Sequence, residues 1–354
     1  MLSSKSKITM REPALINPVK QENWNNLLLS TTGCSFFHTS NWAEVLSRSY
    51  KYKPVYLCIK EKNAMAGLLA LMEVNSLLTG RRGVCLPFTD ACEPIADSQQ
   101  QFQELFEQAV ALGKKRKWKY LEIRGGQKHL PEEKTSQVFW GHTLDLSCGH
   151  QQLFSGLRDS TRRNIKKAQS EKVEINISNS LTAVKEFYRL NVMTRKEHGL
   201  PPQPYRFFQH LYDHVIAQNM GFIATASISD RIIAANVYLH FGNEVIYKYG
   251  ASDKQYQHLR ANNLVMWEAI KWSFDRGFGK MTFGRTETQH KGLIQFKAGW
   301  GAKPHTIVYY KYDLRKDAFV IDGEAIHPAL KDMVSKLPKP ALRLMGKILY
   351  RHMG

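Results

Sequence analysis

The side chains placed by type and spacing to move a proton gather late in the chain. Glu287 and His290 stand three residues apart in a polar stretch between Arg285 and Lys297, and either could accept a proton from an ammonium group if its pKa suited. Alternation through 233–241 puts Asn236, Tyr238 and His240 on one face of a strand, where they could line a cleft. In the next run Tyr247 and Tyr249 share a face, so a hydroxyl could orient an acceptor or relay a proton, with packing as the plain alternative. The thirteen His do not fall at ligand spacing with carboxylates, so no metal is expected. The five Cys are odd in number and contain no C-x-x-C pair, which predicts buried free thiols rather than a disulfide frame or zinc ribbon.

Those residues need a scaffold, and 354 residues with 43 % apolar content are enough for two compact units. No run approaches the roughly 18 apolar residues of a spanning helix, and the first 20 residues lack a secretory signal's apolar core. A cytosolic protein is therefore expected. The net charge of +19 is uneven: basic residues exceed acidic ones by 5 in residues 1–150 and by 14 in residues 151–354. The second half should meet an anionic partner, whether nucleic acid, a nucleotide- or lipid-linked substrate, or a membrane surface.

Periodicity predicts a hairpin of strands 53–59 and 66–74 around the polar turn 60–63, then a helix over 100–116 and a strand over 120–124. The design recurs as strands 222–228, 232–241 and 245–251, a helix over 263–276 and a strand over 280–284. Two related mixed α/β units follow. Between them, 157–168 reads as a helix with Arg158, Arg162 and Lys166 on a basic ridge, either a phosphate or RNA contact or a surface helix joining the lobes.

The segment Gly292-Leu293-Ile294-Gln295-Phe296-Lys297-Ala298-Gly299-Trp300-Gly301, after Thr282-Phe283-Gly284-Arg285, resembles the Fem family of peptidoglycan aminoacyl transferases. Phe37 to Trp42, Arg162-Arg163-Asn164 and Thr194 to Pro201 add further similarity in family order. The resemblance implies an α/β (α+β) fold of two tandem GNAT-like acyltransferase domains, each a mixed twisted sheet flanked by helices. These would span 1–147 and 148–320, with a basic tail over 321–354. It implies an enzyme that carries no permanent cofactor and moves an acyl group from aminoacyl-tRNA or acyl-CoA to an amine of an envelope precursor. Lys297 would stabilise the developing oxyanion, with Phe296 beside it and Arg285 at the donor. Donor phosphates would meet the helix start at Arg260, Asn262, Asn263 and Leu264, a segment without the glycines of CoA-binding relatives. Trp42, Arg195, Asn236 and Tyr238 would hold the acceptor.

Two positions depart from the Fem pattern: Glu197 stands where an Arg meets the acceptor phosphate, and Leu46 near where a Lys does. A lipid-linked or polymeric anionic acceptor fits these better than a UDP-linked one. The ending, Lys336-Leu337-Pro338 with Leu344-Met345-Gly346 and Tyr350-Arg351, is similar to tails of an exosortase/PEP-CTERM-associated subgroup, which implies envelope or exopolysaccharide assembly. If residues 340–352 are helical, Arg343, Lys347 and Arg351 form a basic ridge beside Leu344, Ile348 and Leu349. That pattern suits peripheral contact with the inner membrane face or docking on the first lobe. The competing readings are a CoA-dependent N-acetyltransferase and a non-catalytic RNA- or anionic-lipid-binding module.

Overall fold

The computed structural model describes residues 13–61, 64–321 and 334–354, so Lys62 and Asn63 of the expected first turn lie outside the described residues. In the first half, strands β1 (Ala14–Ile16), β2 (Lys53–Glu61), β3 (Ala64–Ser76), β4 (Gly80–Val84), β5 (Ile95–Ala96), β6 (Tyr120–Arg124) and β7 (Gln137–Asp145) accompany helices α1 (Trp24–Leu29), α2 (Ser40–Tyr50) and α3 (Gln99–Lys115). The second half begins with α4 (His150–Ser155), α5 (Asp159–Ser170), β8 (Glu174–Ser178), α6 (Leu181–Glu197) and α7 (Tyr205–Leu211). It continues through β9 (Gly221–Ile228), β10 (Arg231–Phe241), β11 (Glu244–Ser252), α8 (Ala261–Asp275), β12 (Lys280–Thr282), β13 (Thr286–Glu287), α9 (Lys291–Ala298), β14 (Lys303–Asp313) and β15 (Ala318–Phe319). The tail holds α10 (Lys339–Leu349).

Local chemistry explains several boundaries. Thr39, Ser98 and Ser180 each accept a hydrogen bond from an amide in the first turn of α2, α3 and α6, satisfying donors that a helix start otherwise leaves open. The β9–β10 hairpin turns through Ser229 and Asp230, both at positive φ, as a two-residue connection of right-twisted strands requires.

The strands form one sheet in the order β1-β2-β3-β4-β6-β14-β7-β12-β11-β10-β9-β8. β14, late in the chain, lies between β6 and β7, pairing Tyr309 with Arg124 on one side and Thr306 with Trp140 on the other. The two halves therefore share a hydrogen-bonded ladder rather than a loose interface. Along β10, Val237 and Leu239 face the core under α6 and α7, while Tyr238 and Ile233 face the core under α8 and α5.

Three features shape the centre. First, β10 and β11 change register where Val237 faces Tyr249 and Tyr238 faces Tyr247, leaving Lys248 as the extra residue of a β-bulge. Second, β11 pairs with the parallel β12 only from Glu244 to Ile246, after which the chain leaves through Phe283 and β13 joins β7 instead. The strands part beyond that point. Third, the loop after β4 takes left-handed backbone at Leu86 and Phe88 and is pinned from within. The Arg124 guanidinium donates to the carbonyls of Leu86 (3.3 Å) and Thr89 (3.4 Å) and to Glu122 (2.7 Å), and the Tyr309 hydroxyl donates to the Asp90 carbonyl at 2.7 Å. Because Arg124 is buried, Arg124→Met should leave Glu122 and these carbonyls unpaired and lower unfolding free energy by about 3–5 kcal/mol in urea titrations; a loss under about 1 kcal/mol would mean the loop is held by other contacts.

Candidate active site

The pinned loop carries Asp90 to the second half. Its carboxylate accepts from Lys248 Nζ at 2.8 Å and from the Arg285 amide at 3.3 Å. Gly284 takes the left-handed backbone at φ +61° that favours glycine, and a Cβ there would crowd the Asp90 carboxylate at 3.0 Å. Lys248 is buried, and burial pulls its pKa down, with Asp90 opposing. For Asp90, the charges of Lys248, Arg285 and Lys297 outweigh burial and keep the carboxyl below its usual range.

Lys297 lies beside this pair. It sits in the last turn of α9 rather than in a loop, is only 3 % exposed, and donates to the carbonyls of Gly284 (2.9 Å) and Arg285 (3.3 Å). Burial lowers its pKa to about 8, with Asp90 opposing and Lys248 reinforcing. A cavity of about 350 Å³ opens between the halves, with Asp90, Glu93, Glu244, His142 and Gly284 in its wall. His142 is 1 % exposed, and neither ring nitrogen has a hydrogen-bond partner among the described residues. Burial, then the charges of Lys297 and His305, hold its pKa at about 4, so the ring is neutral at physiological pH.

The other expected residues fall in several places. Arg285 is exposed and lays its guanidinium over the rings of Phe139 (4.3 Å) and Tyr309 (5.1 Å). Phe296 packs edge-on against Trp300. Glu287 and His290 meet at 3.5 Å, each about half exposed, just before α9. At the start of α8, Arg260 is the N-cap in left-handed conformation without a side-chain cap; Asn262 is exposed and bonds Ser252 at 3.0 Å. Asn263 donates its amide to the Arg260 carbonyl, and Leu264 turns into the core.

Four residues expected around the acceptor lie elsewhere. Trp42 is fully buried among Phe36, Phe37 and Phe207, a core position. Arg195 is occupied by the Tyr350 hydroxyl (3.0 Å) and the Pro201 carbonyl. Asn236 and Tyr238 share a face as expected, but that face lies under α8, where Asn236 donates to the Tyr238 hydroxyl and Tyr238 to the Met266 sulfur. Tyr249 is corrected as well: the Lys248 bulge turns it away from Tyr247 and into the cluster of Phe187, Phe207 and Phe208. The thiols are free, although Cys34 and Cys148 are only half-buried. Asp90, Lys248 and His142 escaped sequence reasoning. A bulge inside an alternating run leaves no trace in the alternation, and the Asp90 loop precedes Lys248 and Lys297 by over 150 residues; the two carboxylates between Pro87 and Pro94 were the available signal.

A model of an acetyltransferase (GNAT) domain matches residues 155–292. The chain is 25 % identical over 129 residues to the UDP-N-acetylmuramoylpentapeptide-lysine N(6)-alanyltransferase of Weissella viridescens, a match covering 36 % of this chain and 38 % of that relative's length. The crystal structure of FemX superposes with a TM-score of 0.68 at 12 % identity, covering 84 % of this chain and 97 % of the other. A tandem GNAT protein from the clavulanic acid pathway gives 0.51 at 9 % identity, covering 82 % and 94 %. The fold is a Fem-type GNAT fold.

The depressed Lys297 pKa has a stability consequence. Between about pH 8 and 10.5 the unfolded chain binds a proton that the folded one has released, so stability contributed by this site rises with pH across that window. Lys297→Met should raise unfolding free energy by about 1–3 kcal/mol at pH 7, less near pH 10, in parallel urea titrations. A pH-independent difference would contradict a depressed pKa.

Proposed function

We propose that this chain, built on the Fem-type GNAT fold, is an acyltransferase that moves an aminoacyl group from tRNA to a primary amine of a peptidoglycan-type envelope precursor. The observation that carries the reading is Lys297, a buried cation where two parallel strands part, beside a cavity whose wall holds Asp90, Glu93 and Glu244. Asp90 and Glu244 are paired with Lys248 and Lys280, and Glu93, bonded only by the Gly126 amide among the described residues, is the carboxylate that suits an acceptor arriving as an ammonium ion. The similarity to an alanyltransferase that acts on a lysine amine supports the same chemistry. Glu197 and Leu46, with the tail's similarity to the PEP-CTERM-associated subgroup, favour a lipid-linked peptidoglycan or exopolysaccharide precursor at the inner membrane face.

In this reading the bound ammonium ion first releases one proton to solvent by way of the cavity carboxylates; the free amine nitrogen then attacks the ester carbonyl carbon, and the carbonyl electron pair moves onto oxygen. Lys297 opposes that charge in a water-poor site, where a fixed cation is worth most. Collapse restores the carbonyl and breaks the bond to the tRNA oxygen. His142, neutral and unpartnered, takes the proton the amine releases and returns it to that oxygen. Asp90 acts as a positioning residue, fixing Lys248 and the Gly284-Arg285 turn on which Lys297 is hung.

Lys297→Ala should abolish transfer while the protein stays folded by circular dichroism. His142→Asn should lower kcat by about 10²–10⁴-fold, whereas Glu287→Gln and His290→Asn change it less than about threefold; the reverse ranking would move the proton acceptor to the exposed pair. Charged tRNA at 100 times its Kd should raise unfolding free energy by about 2.7 kcal/mol, and acetyl-CoA should leave it unchanged. A rise with acetyl-CoA alone would make the protein a CoA-dependent N-acetyltransferase.

A further inference from the structure

A groove of about 980 Å³ lies away from this cavity, between the end of α2, the first half of α6, the start of α7 and the tail helix α10. Besides Arg189, six basic residues line it: Lys51, Lys185, Arg206, Arg343, Lys347 and Arg351. Among the described residues no carboxylate lines the groove and none pairs with these six; Arg189, also in the wall, pairs with Glu186 at 2.8 Å. Six like charges held around one hollow repel each other unless an anion enters.

The tail helix explains how the groove is built. Leu342, Gly346 and Tyr350, one turn apart, form its inward stripe. Gly346 crosses so close to the chain that a Cβ would lie 2.0 Å from the Pro202 carbonyl, and this contact is why a glycine sits inside the helix. Beyond it, Arg82 donates to the carbonyls of His352 and Gly354, and Tyr52 to that of Tyr350. With that stripe docked, Arg343, Lys347 and Arg351 turn toward the groove, and Arg343 rests over the Tyr188 ring at 5.7 Å. Leu344 and Ile348 remain 58 % and 53 % exposed, one turn apart beside the basic ridge. Docking on the protein and presenting a basic ridge are thus the same arrangement.

We propose that this groove binds the phosphate headgroups of an anionic lipid bilayer, with Leu344 and Ile348 entering the headgroup–acyl boundary. Basic charge alone would suit any polyphosphate. The two exposed aliphatic side chains at the rim contribute nothing to a nucleic acid backbone, whereas charge together with a small apolar anchor is the combination that holds a peripheral protein on an anionic surface. The inference rests on the groove and not on acyl transfer, so its test needs no turnover.

Full-length protein is co-sedimented with vesicles of phosphatidylcholine alone or with equal parts phosphatidylglycerol. Strong association with the second only is expected, falling with salt. Lys185→Glu/Lys347→Glu, which reverses one charge on each wall, should weaken it at least about 20-fold, and Leu344→Ser/Ile348→Ser several-fold; a thermal melt of each variant establishes that it folds. Equal binding to both vesicle types, or an unchanged affinity of the charge-reversed variant, would overturn the proposal. So would wild-type protein that associates with neither vesicle type while the charge-reversed variant loses tRNA binding, which would make the groove an RNA surface.

Discussion

The ion pair between Asp90 and Lys248 is the contact on which the centre of this molecule depends. Either charge alone in that position would be expensive to bury, and together they are tolerated because further groups complete the shell: the Arg285 amide reaches the carboxylate, and the Lys248 ammonium lies over the Phe37 ring. The pair joins a loop of the first half to the bulge of the second. Through Gly284 and Arg285 it also fixes the two carbonyls that hold Lys297. A displacement at Asp90 is thereby a displacement of the candidate catalytic cation.

That arrangement is only possible because the halves share a sheet. β14 belongs by chain order to the end of the second half, yet its residues 309–313 pair with β6 of the first. Tyr309 sits in that ladder and reaches the Asp90 loop with its hydroxyl, while Arg124, its partner across the strands, donates to carbonyls of the same loop. The loop's backbone is thus bonded to two neighbouring strands of the ladder. Functional groups on loops are best held when the loop's own backbone is bonded to packed strands.

Charge is distributed with the same logic. The cavity near Lys297 has Asp90, Glu93 and Glu244 in its wall, whereas the large outer groove is basic and without a carboxylate among the described residues. A single molecule thus gathers carboxylates at one hollow and basic side chains at another, which a net charge of +19 would not disclose. The tail contributes to the second surface by docking on the protein while turning its basic ridge outward.

Much of the scaffold was legible in the sequence. The strands at 120–124 and 232–241 and the helices at 100–116 and 263–276 fall within a few residues of their observed bounds, since each follows from local period and capping. The Lys297 motif was also legible, as a resemblance. What the sequence could not carry was environment. Asn236 and Tyr238 sit on the face their spacing assigns, but a hydrophilic side chain on a strand face looks the same whether a helix covers it or a cleft opens on it. Tyr249 shows the other limit: one extra residue in β11 reverses every side chain beyond it, and a bulge is set by pairing with β10 and β12, not by the strand's own residues. Local sequence determined which elements form and which face of each is apolar. Long-range pairing decided that Asp90, His142, Lys248 and Lys297 meet, because their proximity is a property of strand order and register across residues separated by up to 207 positions, for which no local energy term exists.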